Sequence, residues 1–165
     1  MISFEIIRNW AWKISLFSVV LIILALIIPN IIFIPTKDTE ITVFWIWNFY
    51  YRENNFVVFP YSEINDAFKI YMILGYMVAA FIIVCILLIL LASFKEKGAS
   101  LGRLYLLWII SGIILIIMGI IAWGVRAAII TTDIVGIPVP LGALLILLSG
   151  VFTILIGVAS WKIPR

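Results

Sequence analysis

The fold class is decided by the stretch Ile41-Thr42-Val43-Phe44-Trp45-Ile46-Trp47-Asn48-Phe49-Tyr50-Tyr51. Its β-branched and aromatic residues favour a β-strand. Arg52-Glu53-Asn54-Asn55 predicts a turn after it, and Phe56-Val57-Val58-Phe59-Pro60-Tyr61 predicts a second strand. Both strands lie within residues 36–68, a polar and aromatic segment between long apolar ones. We therefore expect a small antiparallel β-sheet attached to a helical membrane protein.

The composition excludes an ordinary soluble domain. The 165 residues are 66% hydrophobic and 12% charged, and the mean hydropathy is +1.31. A soluble domain is about half apolar and a quarter charged, so the surplus apolar surface is expected to face lipid. The net charge of +3 does not indicate a nucleic-acid partner, because the basic residues lie at the ends of apolar spans rather than in a patch.

Four apolar spans are predicted at about 12–34, 68–94, 104–126 and 140–161, each long enough to cross about 30 Å of hydrocarbon. Pro29 is expected to kink or end the first helix. The predicted outer loops are 36–67 and 127–139, and Ile129–Thr132 in the second loop is predicted to add a short strand.

The distribution of charge predicts the orientation. Seven of the eleven basic residues flank the spans on the side of the termini, and six of the eight acidic residues lie in the two outer loops. Both termini are therefore expected in the cytoplasm. We predict one integral, multi-pass cell-membrane domain over 1–165, classed as an all-α membrane protein. It is expected to form a left-handed bundle of four transmembrane helices with a small extracellular antiparallel β-sheet cap.

Small residues at seven-residue intervals predict where two of the helices pack. Close approach at small residues contributes more than hydrophobicity to helix association in lipid. The third and fourth spans are consecutive, so they are antiparallel, and equal depth predicts that Gly112 faces Gly157 and Gly119 faces Gly150. The alternative is that glycine is simply frequent in membrane helices. The predicted helix-packing residues are Gly112, Gly119, Ala143, Gly150 and Gly157.

Residues suited to catalysis or metal binding are missing from the predicted spans. Histidine is absent from the chain, Cys85 is its single cysteine, and no span carries an acid or base in its interior. We therefore predict no enzyme activity, no catalytic residue, no cofactor and no metal site. Two interpretations remain open for Ser111, Ser149 and Thr153: they line a pore built by an oligomer, or their hydroxyls bond to their own helix backbones.

Aromatic residues of the first loop form a candidate partner surface, namely Trp45, Trp47, Tyr50, Tyr51 and Tyr61. Trp45 and Trp47 are expected on the same side of one strand. That side either rests on the bilayer interface or on the second helix, or it anchors a partner protein. Arg126 is the candidate residue for anchoring the cap, through Asp133 or an acid of the first loop. Its alternative is contact with lipid headgroups.

The layout resembles the claudin-like tetraspan superfamily, which includes PMP22-like proteins and calcium-channel gamma subunits. Trp45-Ile46-Trp47 is similar to the central part of that superfamily's first-loop signature, whose two cysteines this sequence lacks. The resemblance implies a non-catalytic accessory or structural subunit that acts through its cap and its helix faces. The expected partners are the lipid bilayer and other membrane subunits or further copies of the chain. The alternative is a self-assembling small channel or carrier.

Overall fold

The computed structural model describes residues 6, 9–35, 41–47, 49–52, 55–58, 66–98, 104–130 and 136–162. This part of the chain is mostly helical and carries a small antiparallel sheet. The helices are α1 (Ala11–Ile27), α2 (Asp66–Gly98), α3 (Tyr105–Ile130) and α4 (Leu141–Lys162). The strands are β1 (Ile31–Pro35), β2 (Thr42–Phe44), β3 (Phe49–Arg52), β4 (Asn55–Val58) and β5 (Gly136–Val139).

Within the described residues, three helices are long and apolar enough to cross a membrane, through the segments Ile73–Lys95, Tyr105–Gly124 and Leu141–Lys162. None of these segments contains proline, and their only charged residues are the terminal Lys95 and Lys162. Helix α1 is also apolar but is shorter than these three. Its 17 residues give a length of about 26 Å at 1.5 Å per residue. These helices indicate a membrane protein.

The predicted first span, 12–34, is too long. Helix α1 ends at Ile27, and residues 31–34 belong to strand β1. Pro29 has no N–H group and a fixed φ angle, so it cannot continue the hydrogen bonding of the helix. The run after it is apolar enough to suggest a membrane helix, but its β-branched isoleucines also favour a strand. The other three helices lie close to their predicted bounds.

In the described part of the chain, the sheet has five short strands in the order β4-β3-β2-β1-β5, and all neighbouring strands are antiparallel. Strand β5 comes from the loop between α3 and α4 and pairs with β1, with Ile34 opposite Ile137. The sheet therefore joins the chain segments that precede α2 and α4.

Two strand predictions are wrong in their positions. The single strand predicted from Ile41 to Tyr51 is divided, because Ile46 and Trp47 form a turn between β2 and β3. The second-loop strand was predicted at Ile129–Thr132, but Ile129 and Ile130 end α3 and the strand is β5. Residues 131–135 and 59–61 of the predicted loops lie outside the described residues.

The core of the bundle contains many small side chains beside large ones such as the fully buried Trp108. Ala25, Cys85, Ala143 and several serines are buried, whereas large residues such as Phe17, Phe81 and Leu148 are exposed. This arrangement suits a helical bundle in lipid, where small inward residues allow close packing and large apolar residues face the acyl chains.

Candidate functional site

The C-terminal end of α1 lacks the backbone donors that would complete it. A helix leaves its last four carbonyl groups without helical partners. The N–H of Ile28 donates to the Leu24 carbonyl at 2.8 Å. Pro29 then has no N–H to offer, and the N–H of Asn30 donates to the Phe44 carbonyl of β2 at 2.7 Å. The next carbonyls of α1 therefore need donors from another part of the chain.

Two tryptophans of the β2–β3 turn supply those donors. The Nε1–H of Trp47 donates to the Leu26 carbonyl at 2.8 Å. The Nε1–H of Trp45 donates to the Ile27 carbonyl at 3.0 Å. The last carbonyls of a helix need donors from outside it, so these two bonds stabilise both the helix end and the position of the turn. We call this contact, formed by Leu26–Asn30 and Trp45–Trp47, the junction.

Ile46, between the two tryptophans, is inserted into the bundle. Its side chain is 2% exposed and belongs to the same apolar core as Ile22 and Ala25 of α1. Trp47 is half-buried and packs against that core. Trp45 and Trp47 were predicted to share one side of a strand, and this is wrong because they lie at the turn. Their described hydrogen bonds are with the end of α1.

Asn30 links the junction to α3 and α4. Its Nδ2 donates to the Ala122 carbonyl of α3 at 3.1 Å, and its carbonyl accepts the N–H of Gly142 at 3.3 Å. Gly142 lies in the first turn of α4, where backbone N–H groups have no helical acceptor. Asn30 is fully buried, and its Oδ1 has no hydrogen-bond partner among the described residues.

Asn30 also explains why residue 142 is glycine. A Cβ at position 142 would lie 2.9 Å from Asn30 Cα and 3.2 Å from Asn30 Oδ1. Asn30 was not among the predicted site residues. A signal was present, because one polar residue stands directly between a helix-ending proline and the run Ile31-Ile32-Phe33-Ile34.

The remaining aromatic candidates and Arg126 are described only in part. Tyr50 pairs with Phe44 and Val57, and Tyr51 pairs with Val43 and Phe56, through the backbone of β3. Their side chains, the side chain of Arg126 in α3, and all of Tyr61 lie outside the described part of the chain.

The glycines of α3 and α4 lie at the contact of these helices, but not in the predicted pairs. A Cβ at Gly112 would lie 2.6 Å from Ile154 Cγ1 and 2.8 Å from the Gly150 carbonyl oxygen. A Cβ at Gly119 would lie 2.8 Å from Leu147 Cγ and 3.4 Å from the Ala143 carbonyl oxygen.

The two glycines of α4 make the same kind of contact with side chains of α3. A Cβ at Gly150 would meet Ile116 Cγ1 at 2.9 Å, and one at Gly157 would meet Ile109 Cγ1 at 2.6 Å. The predicted pairs Gly112–Gly157 and Gly119–Gly150 are therefore wrong. Each glycine makes room for a large side chain of the facing helix. We call the four positions, Gly112, Gly119, Gly150 and Gly157, the glycine seam.

Hydroxyl groups inside the bundle bond to backbone carbonyls. Thr153 Oγ1 donates to the Ser149 carbonyl of its own helix at 2.7 Å. Ser149 Oγ instead donates across to the Ser18 carbonyl of α1 at 2.9 Å. Ser111 Oγ is buried and has no partner within the described chain. The own-helix interpretation thus fits Thr153, whereas Ser149 connects two helices.

The described residues contain no group of three or more His, Cys, Asp or Glu side chains that could hold a metal ion. Cys85 is buried, and its thiol donates to the Ser111 carbonyl at 3.7 Å. What the junction can do is hold a sheet in one orientation on the end of a helical bundle. No family model matches this chain, and no curated protein matches it.

Proposed function

We propose that this chain is a non-catalytic tetraspan membrane protein that serves as an accessory or structural subunit of a membrane complex. Its layout would then be like that of the claudin-like superfamily. In this proposal all four helices cross the membrane as a left-handed bundle, with both termini in the cytoplasm and the sheet outside. Lateral helix contacts and the sheet bind the partners.

The observation that carries the proposal is the attachment of the sheet to the bundle. Trp45 and Trp47 complete the end of α1, Ile46 enters the core, and Asn30 bonds to α3 and α4. A sheet held by directional bonds at several points presents a constant surface. Such a surface suits a protein that works by contact with partners.

The path of the chain supports the proposed orientation. Strands β1–β4 lie between α1 and α2, and β5 lies between α3 and α4. The sheet therefore connects the helix ends opposite to the start of α1 and the end of α4. The basic residues concentrate on the side of the termini, which favours a cytoplasmic location for that side.

The position of β4 at the edge of the sheet favours a protein partner. Among the described strands, β4 pairs only with β3, and β5 forms the opposite edge. Strand β5 contains Pro138, which has no N–H and so protects an edge from further pairing. Strand β4, Asn55–Val58, has no proline, and an unpaired edge is a template for a strand of another chain.

Purification of the tagged chain from its native membranes in a mild detergent tests the proposal. We expect another membrane protein to be recovered with it in a constant ratio, measured by mass spectrometry and light scattering. Recovery of the chain alone as a homo-oligomer with a continuous hydrated path would contradict the proposal and support the channel or carrier.

Two neighbouring variants would locate the contact on β4. Successive N–H groups of a strand point to opposite sides, so Val57→Pro and Val58→Pro each remove a donor from a different side. One of them removes a donor to β3 and weakens the hairpin. The other changes only the free edge, and we expect it to keep the thermal stability of the chain but lose the partner. Retention of the partner by both variants would exclude β4 as the contact.

A further inference from the structure

A groove of about 460 Å³ runs along the outer face of α1 and α4. Its walls include Trp10 and Phe17 on one side and Phe152 and Leu155 on the other, and Ile156 is a buried residue of its lining. Phe17 and Phe152 meet edge to face with their ring centroids 6.2 Å apart. All of the lining residues are apolar, and the volume is within the range of small-molecule sites.

A cation stands at the rim of this groove. Lys13 is exposed, and its Nζ lies 4.0 Å from the centroid of the Trp10 ring that lines the groove. The same Nζ lies 5.6 Å from the ring centroid of Trp12. Helix α4 runs antiparallel to α1 and ends on this side with the exposed Lys162. The groove thus combines an apolar channel with positive charge at the level of the helix ends.

The shape of the walls distinguishes a lipid chain from a helix of another subunit. Helices associate in lipid through small residues that let their backbones approach. The small residues of α1, Ala11, Ser15, Ser18 and Ala25, are buried inside the bundle. The groove instead presents half-exposed bulky residues, which leave a narrow gap between side chains. A flexible acyl chain can fill such a gap, whereas a helix cannot approach its floor.

We propose that this groove binds one acyl chain of an anionic phospholipid, whose phosphate pairs with the ammonium group of Lys13. The apolar walls contact the chain, and the cation over Trp10 selects the negatively charged headgroup. Cations near a membrane surface attract anionic lipids in this way. The site would hold a lipid of the leaflet on the side of the termini, and it is independent of the partner proposed above.

Native mass spectrometry of the full chain released from detergent micelles tests the site. The probes are dioleoyl phosphatidylglycerol and dioleoyl phosphatidylcholine, titrated separately. We expect one phosphatidylglycerol molecule to be retained more tightly than phosphatidylcholine. The Lys13→Gln variant should bind phosphatidylglycerol about five-fold more weakly, the effect of one cation near a surface, and its loss for phosphatidylcholine should be smaller because the choline ammonium offsets the charge of the phosphate. Equal retention of the two lipids by the native chain would overturn the proposal.

A matched pair of substitutions on α4 places the lipid in the groove. Leu155→Trp fills the groove, and we expect it to abolish the tight site. Leu148→Trp makes the same change at a similarly exposed leucine outside the lining, and should bind as the native chain does. Equal binding by the two variants would contradict the site. A native dimer that is lost only in Leu155→Trp would contradict the lipid site and assign the groove to a second copy of the chain. If Leu155→Trp does not fold, the comparison of Lys13→Gln with the native chain still tests the site.

Discussion

The junction and the glycine seam hold the same bundle together by different physical means. At the junction, indole and amide N–H groups donate to carbonyls at the end of α1 and along α3. At the seam, glycines remove side-chain volume so that large residues of the facing helix can enter. The junction is held by directional hydrogen bonds between polar groups, whereas the seam is held by the short distance between the backbones of α3 and α4.

The difference follows from where backbone groups need partners. Inside α3 and α4 the backbone is satisfied by the helices themselves, so only the fit between side chains determines how they pack. At the end of α1, helical partners are missing after Pro29, and the fold must provide them from the sheet. Substitutions should therefore affect the seam through volume and the junction through lost donors.

The largest expected effect comes from adding volume at the seam. Gly112→Val places new methyl groups against Ile154 and the backbone of Gly150, where a Cβ alone would be within 2.8 Å of the carbonyl oxygen. We expect a loss of about 3 kcal/mol in the free energy of unfolding, the upper part of the usual range for overpacking. Titration with a denaturing detergent, followed by circular dichroism, measures this change.

Gly124 on the same helix provides the matched control. A Cβ at Gly124 would meet no atom of another element within 4 Å among the described residues, so Gly124→Val should change the stability by no more than about 0.5 kcal/mol. Equal losses for the two variants would show that the cost comes from helix propensity and not from contact with α4.

The next effect in size concerns the side chain of Asn30. Asn30→Ala removes the donor to the Ala122 carbonyl and leaves space in a fully buried position. We expect a loss of about 2 kcal/mol, within the range for disturbing buried polar groups. The backbone bonds of residue 30 to Phe44 and Gly142 remain, so the sheet should stay attached.

Asn9→Ala, at an exposed position before α1, is the control for this substitution and should leave the stability unchanged within about 0.5 kcal/mol. The same detergent titration applies. A neutral result for Asn30→Ala would mean that the side-chain bond to α3 adds nothing to the backbone bonds.

Local patterns predict the helices well and the contacts between them poorly. The apolar runs locate α2, α3 and α4, and the seven-residue spacing identifies four glycines that lie between α3 and α4. The spacing cannot give the register, because the helices shift along each other until Ile154 and Leu147 fit into the gaps left by Gly112 and Gly119. Equal depth therefore pairs Gly112 with Ile154 and Gly119 with Leu147, rather than one glycine with another.

The junction shows the same limit for residues that are distant in sequence. Aromatic and β-branched composition predicts a strand around Trp45. In the structure the chain turns there instead, and the indoles of Trp45 and Trp47 donate to carbonyl groups at the end of α1. Nothing within the loop indicates that those carbonyl groups need donors. Pro29 and Asn30 do carry the signal, since they show that a helix ends in an apolar run and that a polar residue follows it.

The smallest expected effect separates the hydrogen bond of Trp47 from its packing. Trp47→Phe keeps most of the aromatic contact with the core but removes the donor to the Leu26 carbonyl. We expect a loss of about 1 kcal/mol in the free energy of unfolding, the usual net value of one hydrogen bond. Trp161→Phe, at a residue 57% exposed on α4, makes the same chemical change outside the junction and should be neutral.

Backbone amide exchange shows which part of the chain loses stability in Trp47→Phe. If the indole completes the helix, exchange in Trp47→Phe should accelerate in the last turn of α1 and in strand β2, while the α3–α4 contact remains protected. Uniform acceleration over the whole bundle would mean that Trp47 acts only as apolar volume. The junction would then work by the same packing as the glycine seam, and the contrast between the two regions would fail.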